Sequence, residues 1–72
     1  MRVGILKQNK FGRYEIETGA YVTSGTSVEV FKFNRWIKGR IEYSHKTEDY
    51  YFLNDEDKIY IYNLEGVKVR FN

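Results

Sequence analysis

Few side chains in this chain could do chemistry. His45 is the only histidine, and it follows Ser44 directly. Neighbours on an extended chain point to opposite faces, so adjacency cannot make the two a nucleophile and its base. Asp55-Glu56-Asp57 is an acidic run, but a calcium loop needs a longer pattern with a glycine and a distal bidentate glutamate. Thr23-Ser24-Gly25-Thr26-Ser27 contains one glycine, with no lysine after it to open a helix, and so reads as a polar loop and not a phosphate cradle. Cysteine is absent, and one histidine cannot build a His-based metal cage. The expectation is a protein that is not an enzyme and uses no cofactor or metal.

A stronger signal lies in aromatic and basic residues that share a face. Two-residue alternation sets Trp36, Lys38 and Arg40 on one side of a long strand and Ile37, Gly39 and Ile41 on the other. Tyr60 and Tyr62 face outward from a later strand, and Lys68 and Arg70 from the last one. Tyr50 or Tyr51 joins them, depending on register. These seven residues, Trp36, Lys38, Arg40, Tyr60, Tyr62, Lys68 and Arg70, form the expected binding face. A covering role competes with this reading, because tyrosine rings can shield a thin barrel while their hydroxyls stay wet.

The elements that hold such a face must be strands. Trp36 to Tyr43 is the longest run. Val28 to Phe33 precedes it, with a turn expected at Asn34-Arg35 because asparagine tolerates positive φ. Tyr50–Leu53, Ile59–Tyr62 and Val67–Phe71 follow, separated by turns around Thr47–Asp49, Asn54–Asp57 and Leu64–Gly66. Upstream, Val3–Lys7 and Gly12–Glu17 read as a hairpin about Asn9-Lys10, and Ala20–Val22 as a short strand. Gly39, inward and mid-strand, marks a tight bend or a close backbone approach. No window carries an apolar stripe at helical spacing. The expected core is Ile5, Ile16, Val28, Val30, Ile37, Ile41, Leu53, Ile59, Ile61, Val67 and Val69.

Composition agrees. Aromatic residues make up 18% of the 72 residues, proline is absent, and alanine occurs once, so strand formers outweigh helix formers. A chain of this length forms one domain, residues 1–72, whose core leaves only ~3–5 kcal/mol of net stability. Hairpins this short remove their exposed edges by curling, so the expected fold is an all-β, SH3-like antiparallel barrel of five to seven short strands. The net charge of +2 is uneven. Residues 1–40 carry eight Lys and Arg against three Glu, and residues 41–72 carry four against seven acids. No apolar run is long enough to span a membrane and the N-terminus has no signal-peptide core, so a cytoplasmic location is expected.

Two resemblances add to this. Glu29-Val30 followed by Trp36-Ile37-Lys38-Gly39 resembles the middle of SH3-like barrels, including Tudor-type modules, where the small residue lies inside and the tryptophan at the binding surface. The chain lacks their acidic loop and closing Pro-x-x-Tyr, which implies no proline-peptide groove. More broadly, Gly12-Arg13-Tyr14-Glu15, Thr23-Ser24-Gly25, Val28-Glu29-Val30, Trp36 to Glu42, Tyr50-Tyr51 and Leu64-Glu65-Gly66 with Val69-Arg70 are similar to a family of short bacterial proteins described only as a domain of unknown function. That resemblance implies a compact bacterial domain, in a family whose members look like Gram-positive products often carried on mobile elements. It transfers no catalytic residue.

Three readings of function follow. The first is a module that binds a protein or peptide partner through the aromatic and basic face, since Trp, Tyr and Arg are common hot-spot residues. The second is a small nucleic-acid-binding barrel, with bases stacked on the aromatics and phosphates on the cations. The third is a self-associating structural protein, a homodimer.

Overall fold

A computed structural model describes residues 1–72. The chain is all β, with nine strand segments: β1 (Arg2–Ile5), β2 (Lys7–Gln8), β3 (Tyr14–Glu15), β4 (Tyr21–Val22), β5 (Ser27–Lys32), β6 (Arg35–Ser44), β7 (Asp49–Asn54), β8 (Ile59–Ile61) and β9 (Lys68–Phe71). The count exceeds the expected five to seven because three segments have only two residues, and Leu6 divides the first run into β1 and β2. A six-stranded antiparallel sheet runs β1-β9-β5-β6-β7-β8, and a three-stranded sheet runs β2-β3-β4. Together they form a small, barrel-like fold.

The long hairpin sets the register of the large sheet. Val30 pairs with Ile37 and Val28 with Gly39, which keeps every branched side chain of β5 and β6 inside. A slip of one residue would turn that whole set to solvent. The register places the two turn residues at Phe33 and Asn34, one position earlier than the sequence suggests, with Arg35 already paired to Lys32. Both turn residues have positive φ, 55° and 61°, as a two-residue hairpin turn requires. Asparagine takes this conformation readily. Phe33 is placed in it by the register and exposes its ring.

Gly39 is where the backbone crowds. A Cβ there would strike the carbonyl oxygen of Leu53 and come within 2.5 Å of the Phe52 ring. On the far side of the same bend, the Ile41 carbonyl accepts the Gly25 N–H at 2.7 Å, and the Ile41 N–H donates to the Thr26 carbonyl at 2.9 Å. The polar loop is thereby pinned to β6.

The core comprises Leu6, Tyr14, Ile16, Val22, Val28, Val30, Ile37, Ile41, Phe52, Ile61, Leu64, Val69 and Phe71, with Ile59 and Val67 half-buried against it. Leu53 is also buried. Ile5 is a correction: it is 44% exposed, opposite Lys68 on the outer surface. Gly4 is the one buried residue of β1. A Cβ at Gly4 would sit 2.7 Å from that of Ile16, so the two layers meet too closely there for a side chain. Leu6, at the junction to β2, is the next inward residue and is fully buried.

The small sheet is tied to the large one by polar contacts. The Tyr14 hydroxyl donates to Asp49 Oδ2 at 3.1 Å, and Gln8 Nε2 donates to Asp49 Oδ1 at 3.1 Å. The Gln8 N–H donates to Glu65 Oε1 at 2.9 Å. Burial first, and then the Asp49 carboxylate, push the Tyr14 hydroxyl up from 10.0 to about 12. Glu17 accepts the Ile5 N–H at 2.7 Å, which occupies a donor on the free edge of β1 and lowers the pKa of Glu17.

Candidate functional site

Pairing across β9, β5 and β6 gathers one end of the expected face. Arg70 lies opposite Glu29, Glu29 opposite Lys38, and Phe31 opposite Trp36. The Arg70 guanidinium carbon sits 4.3 Å from the Trp36 ring centroid while its Nη2 contacts Glu29 Oε1 at 2.7 Å. Phe31 meets Trp36 edge-on at 5.3 Å, and the Lys68 ammonium lies 5.7 Å from the Phe31 ring. Trp36 and Arg70 are half-buried by these contacts, and Lys38 and Lys68 are exposed.

The other end is a tyrosine stack on β7 and β8. Tyr51 and Tyr62 stack at 5.2 Å with 20° between their planes, and Tyr60 and Tyr62 at 6.3 Å with 16°. Tyr51 is therefore the β7 tyrosine on this face, and Tyr50 points elsewhere. Arg40 stands between the two ends. Its guanidinium bonds Asp55 at 2.9 Å and Glu42 at 2.9 Å, and these bonds, Asp55 first, raise its pKa further above the guanidinium range. Arg35 reaches Asp57 at 4.0 Å. A trough of about 590 Å³ runs between Trp36 and Arg70 on one wall and Asp55, Glu56 and Asp57 on the other, with Lys38, Arg40 and Leu53 along it.

All seven expected residues thus lie on one outer surface, but they form two clusters and not a continuous basic patch. Glu29, Glu42, Asp55 and Asp57 convert it into a lattice of ion pairs. Glu29 and Glu42 were legible from alternation alone. Asp55 and Asp57 were not, because a turn residue's reach depends on how the hairpin folds back over β6.

A second aromatic cluster has no precursor in the strand alternation. It joins Phe11, Arg13 and Tyr21 of the small sheet to Tyr50 of β7 around a depression of about 450 Å³. Tyr50 meets Tyr43 edge-on at 5.0 Å, and Tyr43 meets His45 at 5.1 Å. Ser44 Oγ accepts the Thr47 N–H at 3.3 Å and so serves the β6–β7 turn. No helix is long and apolar enough to cross a membrane, and no three or more His, Asp or Glu side chains gather as a metal site would require.

Fold and surface together define a small all-β domain with an aromatic and ion-paired outer face. The chain belongs to the family described as Domain of unknown function (DUF5348), whose sequence model covers residues 3–71. Neither a curated protein nor a solved structure matches the chain.

Proposed function

We propose that this domain is a non-enzymatic module that binds a protein segment through its outer face. The observation that carries the reading is the trough between Trp36 and the Asp55–Asp57 turn. An aromatic anchor, apolar Leu53 and a mixed-charge rim suit a peptide with an apolar side chain flanked by a basic one. Glu56 makes no ion pair within the chain and is available to such a base. The commitment of Arg35, Arg40 and Arg70 to carboxylates favours a protein over a polyanion at this surface, since a polyanion would have to compete with those acids. The reading of the fold as SH3-like belongs with this proposal, supported by Trp36 outward and Gly39 inward on one strand.

The test is Trp36 fluorescence and backbone-amide NMR against pools of basic–apolar peptides. Shifts confined to β5, β6 and the Asp55–Asp57 turn, lost in Trp36→Ala with the fold intact, support the reading. A wild type that binds no pool, or binding that Trp36→Ala leaves unchanged, overturns it. Dimerisation seen in sedimentation and lost in Trp36→Ala would assign the face to a second copy instead.

A further inference from the structure

The β2–β3 turn holds an apolar ring in water. Phe11 is 84% exposed, more than any other large apolar side chain in the chain. The ring takes no part in the core, yet the turn that carries it is locked. The Asn9 N–H donates to the Arg13 carbonyl at 2.8 Å, and the Gly12 N–H to the Asn9 carbonyl at 3.0 Å. Asn9 Oδ1 accepts the N–H groups of Phe11 at 2.9 Å and Arg13 at 3.1 Å. Gln8 Nε2 donates to the Gly12 carbonyl at 2.9 Å, and Gly12 has φ of 83°, which suits glycine alone among the common residues. A ring displayed on so constrained a backbone loses little further freedom on binding.

Its surroundings specify the ligand chemistry. The Arg13 guanidinium lies 4.9 Å from the Tyr21 ring centroid, and the Lys10 ammonium 5.3 Å from that of Phe11. Neither cation has a carboxylate within ion-pair distance, and neither does Lys7 on the same sheet. The acids Glu15 and Asp49 do not line the depression, and their oxygens are turned to neutral donors: Glu15 accepts the Asn9 amide at 2.9 Å, and Asp49 accepts Tyr14, Gln8 and the Tyr50 N–H. Two exposed rings, Phe11 and Tyr21, with the half-buried Tyr50 at the floor and unpaired cations beside them, match what a single strand offers, namely flat bases alternating with phosphates.

We propose that the depression between Phe11, Tyr21 and Tyr50 is a binding site for a single-stranded nucleic-acid segment, with bases on the rings and phosphates on Lys10 and Arg13. This site is separate from the outer face and does not depend on the peptide reading.

The probe is a fluorescein-labelled twelve-nucleotide oligothymidylate and its oligouridylate counterpart, titrated at low and moderate salt. The wild type is expected to bind both, with amide shifts centred on residues 9–13, Tyr21 and Tyr50. Phe11→Ala should weaken binding about tenfold, the loss of one base stack. Lys10→Ala with Arg13→Ala should weaken it and flatten the salt slope by about one to two counterions. Trp36→Ala should leave it unchanged. Phe11 is exposed, so its variant tests binding and not folding. No binding at low salt, affinity unaffected by Phe11→Ala, or shifts centred on Trp36 each overturn the proposal. Sedimentation showing a dimer that Phe11→Ala abolishes, without oligonucleotide binding, would assign the ring to a contact between copies.

Discussion

The two aromatic surfaces hold similar residues in opposite electrical states. On the outer face every arginine is matched: Arg35 to Asp57, Arg40 to Asp55 and Glu42, and Arg70 to Glu29. On the small sheet Arg13 and Lys10 lie over rings and meet no carboxylate. Ion pairs on or near the surface contribute little to stability, so their consequence lies more in what the surface attracts. Only Arg70 and Glu29 face each other across neighbouring strands; Arg40 meets Glu42 on its own strand, and Asp55 and Asp57 reach Arg40 and Arg35 from the turn that folds back over β6. No carboxylate reaches the β2–β3 turn in the same way, and its cations stay free. The difference shows that the charge of a region is a poor guide to its ligand until the pairing is known. Residues 1–40 carry most of the excess base, yet Arg35, Arg40 and the Glu29 partner of Arg70 fall on the neutralised side.

The largest expected effect tests what holds the outer face in place. Gly39→Val puts side-chain atoms into the Leu53 carbonyl and the Phe52 ring. Overpacking typically destabilises by ~1–3 kcal/mol, and a clash with backbone falls at or beyond the upper end. Against the marginal stability of a chain this short, urea denaturation should find little folded protein. Ile41→Ala, fully buried on the same strand, should cost ~2–5 kcal/mol by the same measurement. An unchanged midpoint for either would break the assigned register of β6.

Removing the acids should make the two surfaces alike. Glu29→Gln with Asp55→Asn releases Arg70 and leaves Arg40 paired to Glu42 alone. The variant should bind oligothymidylate on the outer face as well, with amide shifts at β5 and β6 and a salt slope steeper by about one to two counterions than that of the wild type. If the new shifts do not appear, ion pairing is not what separates the two surfaces.

Tyr14 joins the two sheets, and its hydroxyl bond to Asp49 should be worth ~0.5–1.5 kcal/mol in a Tyr14→Phe comparison. The folded protein keeps this phenol neutral, since its pKa is raised from 10.0 to about 12. The corresponding stability is therefore complete below 10 and is lost as pH climbs from 10 to about 12. Urea midpoints across that window should fall for the wild type and fall less for Tyr14→Phe.

The smallest effect is the sharpest contrast. Phe11→Ala should change stability by no more than ~0.5 kcal/mol, because the ring is in water. Trp36→Ala removes an edge contact with Phe31 and the Arg70 ring contact, and should cost ~1–2 kcal/mol. Thermal melts of the two variants side by side would show whether either ring is structural.

Alternation alone determined the inside and outside of β5, β6 and β9, because side chains on an extended chain must alternate and only one set held the aliphatic residues. It likewise set Trp36, Lys38, Arg40, Tyr60, Tyr62, Lys68 and Arg70 on one surface and Gly39 beneath it. Family membership was legible from short runs of residues in order between residues 12 and 71, and the family model extends the match to residues 3–71. The tertiary structure decided what local pattern could not. Ile5 faces out because Gly4 meets Ile16 across two layers, a contact between residues twelve apart. The turn falls at Phe33-Asn34 because the Val30–Ile37 pairing outweighs the turn preference of single residues. Tyr21 and Tyr50 come together with Phe11 only when the small sheet docks on β7. Which cations are free is decided last, since an ion pair depends on where two side chains end after the sheet has curled, and sequence spacing does not encode that distance.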